Sequence, residues 1–115
     1  VKKYSDLTII FSNCLNGGTG WNTVQSKLMA SLYSELSAVN GLEFKIINSN
    51  TVRGDHNSFT LIYSGVFYDM VIQQTQEDAS SLLEYIRNAA NKVTELMYSE
   101  IRIECTRHMT VFNKV

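Results

Sequence analysis

The chain has 115 residues and a mass of 13.0 kDa, with 44% hydrophobic and 18% charged residues, a balance that fits one globular domain over residues 1–115 and excludes a disordered chain. Ten Lys and Arg against eleven Asp and Glu give a formal net charge of −1, which argues against a sequence-blind electrostatic grip on nucleic acid or anionic lipid. The apolar runs are far shorter than the roughly 20 residues of a membrane-spanning helix, so no membrane insertion is expected.

Leu7 to Phe11 is a β-branched and aromatic run that predicts a first strand. Asn16-Gly17-Gly18-Thr19-Gly20 follows as a loop. Trp21, Val24, Leu28, Leu32, Leu36 and Val39 then recur at three- and four-residue steps, the spacing of one helix face. Asn22 or Thr23 is the expected N-cap, and Asn40-Gly41 the stop. Leu42, Phe44 and Ile46 alternate with Glu43 and Lys45 as a half-buried strand, and the polar stretch from Asn48 to Asn57 is expected to be an exposed loop. Phe59, Leu61 and Tyr63 restart the alternation, Ser64-Gly65 has the composition of a hairpin turn, and Val66 to Ile72 would return as a further strand. Thr75-Gln76-Glu77-Asp78 fits a capping box. The helix it opens would bury Ala79, Leu82, Leu83, Ile86, Ala90, Val93 and Leu96 or Met97. Ile101, Ile103 and Cys105 alternate with Arg102, Glu104 and Thr106 in a last strand that extends toward Met109 and Val111.

The expected order is β-α-β-β-β-α-β, an α+β chain whose two striped helices cover one face of a single sheet, a two-layer sandwich. The first strand, helix and second strand would form a parallel crossover, and Phe59 to Ile72 an antiparallel hairpin. If one hairpin strand is an addition, the pattern is ferredoxin-like. If the last strand is the addition, a thioredoxin-like core with an extra C-terminal strand is the alternative.

Three motifs carry candidate chemistry. The strand–loop–helix around Asn16, Gly17, Gly18, Thr19 and Gly20 could present backbone N–H groups to an anion. Trp21-Asn22 stands where a phosphate-binding P-loop would have Lys and Ser or Thr, and a flexible connection is the plainer reading. Cys14, at the end of the first strand, is the only candidate nucleophile for a phosphoryl-transfer or redox enzyme. Gly20 occupies the place of the phosphatase Arg, no Cys-x-x-Cys is present, and the chain has no proline to sit beside a redox cysteine. A structural cysteine is the plainer reading here too. Arg53-Gly54-Asp55 matches a cell-adhesion tripeptide but reads as a turn.

Ile10-Phe11-Ser12-Asn13-Cys14-Leu15, and Arg53-Gly54 ahead of Phe59-Thr60-Leu61-Ile62-Tyr63, resemble the two strand motifs of the RNA-recognition module. That resemblance implies single-stranded nucleic acid stacked on an open sheet face, with Lys2, Lys3, Lys45, Arg102, Arg107 and Lys114 as candidate phosphate contacts. Only one of the family's stacking aromatics finds a place, and four residues interrupt the second motif.

With only Cys14 and Cys105, and with His56 and His108 outside any zinc-like spacing, no disulfide framework, metal site or cofactor is expected. No signal peptide is visible, and a cytoplasmic chain, or a processed piece of a larger protein, is the expectation. Ile47, Ile62, Phe67 and Val71 belong to the register opposite the core set and are the expected interaction face. The leading expectation is a non-catalytic module that binds a protein partner or itself through that face or a strand edge.

Overall fold

The computed structural model describes residues 3–38, 42–55, 57–69 and 77–108. Its elements are β1 (Lys3–Cys14), α1 (Trp21–Ser37), β2 (Leu42–Arg53), β3 (Phe59–Asp69), α2 (Glu77–Asn91) and β4 (Glu100–His108). The four strands form one antiparallel sheet in the order β2-β3-β1-β4. β1 and β2 therefore run in the same direction with β3 between them, and β3 and β4 do so with β1 between them. These are two interlocked split β-α-β units, the ferredoxin-like arrangement.

Alternation assigns the sheet's faces. Leu7, Ile9 and Phe11 of β1, Phe44 of β2, and Leu61, Tyr63 and Phe67 of β3 are buried on one side. Val24, Leu28, Leu32 and Leu36 of α1 and Leu82, Ile86, Ala89 and Ala90 of α2 join them in a single core. Both helices thus cover the same face, α1 toward β2 and α2 toward β4. Burial of these stripes is the main source of stability, at roughly 25 cal/mol per Å² of apolar surface removed from water. The Ser31 hydroxyl of α1 donates to the Ala89 carbonyl of α2 at 2.7 Å, and α1 also pairs with the segment just after α2, Lys27 with Glu95 at 2.6 Å and Glu35 with Lys92.

The expected hairpin at Ser64-Gly65 does not form. β3 runs unbroken from Phe59 to Asp69, and the seven-element order becomes β-α-β-β-α-β. Gly65 serves a different purpose: β2 bulges between Ile46 and Asn48, and a Cβ on Gly65 would lie 2.2 Å from the Lys45 carbonyl oxygen. A glycine inside a strand often marks such a close approach. The Tyr33 hydroxyl of α1 accepts a hydrogen bond from the Ile46 N–H at 2.8 Å, securing the backbone where the ladder is disturbed.

Asn48 to Arg53, expected in a loop, continues β2 and pairs with β3 as far as Phe59. α1 starts two or three residues earlier than expected, at Trp21, with Gly20 as N-cap and no side-chain capping bond, so neither Asn22 nor Thr23 is the cap. α2 ends at Asn91, and Val93 and Leu96 remain buried through two further turns, Val93 N–H to Ala90 O and Leu96 N–H to Val93 O, both 3.1 Å. Met97 is exposed and bridges Leu15 instead of closing the helix stripe. Val39, the Asn40-Gly41 stop, Thr75-Gln76 of the capping box and the extension through Met109 and Val111 lie outside the described residues.

Candidate functional site

Cys14 is a core residue. Asn13 takes a left-handed conformation (φ 54°) where the β1–β3 register shifts, and this turns the next side chain inward. Cys14 is completely buried, and its thiol donates to the Phe11 carbonyl at 3.3 Å. Burial pushes the thiol up to about 11, so it is protonated at neutral pH and lacks the low pKa of a nucleophilic cysteine. Tyr63 is held protonated far into the alkaline range, first by burial and then by the proximity of Cys14.

The Gly-rich loop packs onto the connection between α2 and β4. Gly17 (φ 61°) sits where a Cβ would meet the Glu95 carbonyl oxygen at 3.0 Å, and Leu15 and Met97 exchange backbone hydrogen bonds of 2.9 and 3.0 Å. Two of the amides facing an imagined anion are occupied: Gly18 N–H donates to the Asn16 side-chain oxygen and Thr19 N–H to the Asn16 carbonyl, each at 3.1 Å. Arg53-Gly54-Asp55 lies at the exposed tip of the β2–β3 hairpin, closed by Gly54 N–H to Ser58 O at 2.7 Å. Arg53 stands over the Phe59 ring at 5.9 Å, and that ring is 4.5 Å from the ring of Trp21.

What remains is the uncovered face of the sheet and its edges. Register places Arg102, Ile10, Ile62 and Asn50 in one row across β4, β1, β3 and β2, and Glu104, Thr8, Ser64 and Asn48 in the next. Ile62 is half-buried on this face, and Val66 is buried there between Asp6 and Lys45. Ile47 is 66% exposed at the bulge and Val52 is 51% exposed. Phe67 corrects the expectation: with no turn at residues 64–65, strand parity is preserved and its ring enters the core at 1% exposure. Val71 lies outside the described residues.

The same register bears on a nucleic-acid interface. Phe11, Leu61 and Tyr63, among the strand residues quoted for the RNA-recognition resemblance, are buried beneath the helices, away from the open face on which that family stacks bases. Of the six candidate cations, Lys45 and Arg102 share the open face with Asp6, Glu43, Glu100 and Glu104. Lys3 and Arg107 occupy ladder positions of the other parity, and Lys2 and Lys114 lie outside the described residues. That excess of carboxylates among the described residues works against a phosphate backbone. Among the described residues no group of three or more His, Cys, Asp and Glu is placed to hold a metal ion, and no helix is long and apolar enough to cross a membrane.

The sequence matches no known family and no curated protein. Solved structures do share its fold. A hydantoinase/carbamoylase family amidase from Burkholderia ambifaria superposes with a TM-score of 0.52 at 9% identity, over 93% of this chain and 28% of that one. A putative aminohydrolase from methicillin-resistant Staphylococcus aureus gives 0.50 at 9% identity, over 92% and 29%. The YXEP protein of Bacillus subtilis, a dinuclear metal-binding peptidase of the M20 family, gives 0.50 at 7% identity, over 92% and 26%. The likeness is one of fold. This chain spans less than a third of each of those proteins.

Proposed function

We propose that this chain is a non-catalytic association domain that joins protein to protein, first of all to a second copy of itself. The observation that carries this reading is the one-sided sheet: both helices lie on one face, leaving the other face and the outer edges of β2 and β4 unpaired among the described residues. An open sheet edge is a ready template for another strand. The residue types that sequence reasoning singled out for chemistry support the same view, because Cys14 is a protonated core thiol and two amides of the Gly-rich loop are already bonded to Asn16. The fold likeness to a domain-sized part of amidohydrolases and peptidases is compatible with a non-catalytic unit built into a larger enzyme.

Sedimentation equilibrium over a wide concentration range tests the proposal. Self-association gives an apparent mass that rises toward twice 13.0 kDa. A constant monomer mass up to millimolar concentration, with no partner retained in purification, contradicts it.

A further inference from the structure

We propose that β4 is the seam of a symmetric dimer, two copies pairing antiparallel through their outer β4 edges about Ile103. This rests on the association reading above and goes further by naming the edge, the register and the occupant, a second copy of this chain. Of the two outer strands, β2 is poorly suited. It bulges at Ile47, which bends the strand and interrupts its hydrogen-bonding repeat, and it carries Lys45 beside the bulge, the kind of device that keeps sheet edges apart. β4 has no bulge, since its ladder with β1 runs from Glu100 to His108 without a register shift, and its charges on the open face are of both signs.

The side chains of β4 select the register. Glu100, Arg102 and Glu104 point to the open face and are exposed, and Arg102 and Glu104 form no ion pair among the described residues. Antiparallel pairing centred on Ile103 sets Arg102 of each copy opposite Glu104 of the other, so the symmetry axis creates two ion pairs. Centring on Arg102 instead would oppose Arg to Arg, and centring on Glu104 would oppose Glu to Glu; centring on Ile101 would pair Arg102 with Glu100, but the two strands would then overlap only over residues 100–102, against 100–106 about Ile103. Directly opposed charges on one sheet face attract or repel strongly enough to choose between registers. On the helix side, Ile101 and Ile103 are half-buried at the margin of the core. In this register Ile103 meets its own counterpart, and the apolar layer continues across the seam. The product is one eight-stranded sheet with four helices on one side.

Charge reversal tests edge and register together. Arg102→Glu alone and Glu104→Arg alone each turn two attractions into two repulsions and should weaken the dimer roughly tenfold or more, read by sedimentation equilibrium. An equimolar mixture of the two variants should form a heterodimer, because every opposed pair is then complementary. The double variant R102E/E104R should recover the homodimer. Far-UV circular dichroism and a thermal melt verify that each variant is folded, as expected for exposed positions. A dimeric parent whose single variants dimerise unchanged places the seam elsewhere and overturns this inference while leaving the association reading standing. Single variants that dissociate without rescue in the mixture or the double variant overturn the register. A parent that stays monomeric overturns this inference, and it overturns the association reading as well if no protein partner is retained in purification.

Discussion

Gly65 shows how one residue type can signal two different local structures. Ser-Gly between alternating apolar residues reads as a tight turn, yet here the glycine makes room for a bulge on the neighbouring strand, and no local pattern separates the two. Gly65→Ala should cost about 2–3 kcal/mol in urea denaturation, because the added methyl drives into the Lys45 carbonyl. A loss under about half a kcal/mol would return residues 64–65 to a turn. A structural cysteine was the plainer reading of Cys14 in the sequence, but the route to its complete burial was not legible, since the left-handed Asn13 that turns it inward leaves no periodic trace. Its thiol should react with an alkylating reagent in the native protein far more slowly than a free thiol at neutral pH, and rapidly once the chain is unfolded. The pH dependence follows in sign. The folded thiol titrates near 11 against an ordinary 9.0, so its contribution is complete below about pH 9 and is lost as pH rises toward 11, with Tyr63 acting in the same direction. Stability measured by denaturant should fall by about 2 kcal/mol over that interval; a flat profile would mean that the thiol is not buried.

The helices were the most legible elements, and their ends the least. Val24, Leu28, Leu32 and Leu36 carry a four-residue spacing that only a helix buries on one side, and all four are completely buried. The same logic runs too far in α2, because successive turns with three-residue hydrogen bonds keep Val93 and Leu96 at helical spacing after the helix has ended at Asn91. The outer half of β2 failed for the opposite reason. Ile47 to Asp55 are exposed, so Asn48 to Arg53 had no core to impose an alternating pattern, and they hold strand geometry chiefly through pairing with β3, with the Gln25 amide of α1 donating to the Thr51 hydroxyl. Two outcomes check these assignments. Amides from Leu61 to Gly65 should exchange slowly with deuterium, as in a central strand, whereas fast exchange at Ser64 and Gly65 would indicate a turn. Tyr33→Phe removes the acceptor for the Ile46 N–H beside the bulge and should cost about 1 kcal/mol; no loss would mean that α1 does not secure β2.

At the scale of the whole molecule, the two-layer α+β architecture and the helices' common face were readable, because two apolar stripes and a set of alternating strands have few other ways to be buried together. The strand order was not readable, since alternation reports which face a residue occupies and carries no information about which strand is its neighbour. That order decides the function proposed here. With β3 and β1 in the middle, β2 and β4 become the outer strands, and the difference between them, a bulged edge and a regular one, is a property of the assembled sheet. An uncovered face that mixes Ile10, Ile62 and Val52 with Glu, Arg and Asn is neither a second core nor a purely solvated surface. Such a mixture suits a surface that is sometimes covered. Sedimentation equilibrium of the unmodified chain, from micromolar to millimolar concentration, tests this most directly: the account predicts reversible conversion from one chain to two, and an unchanging single-chain mass across that range would contradict it.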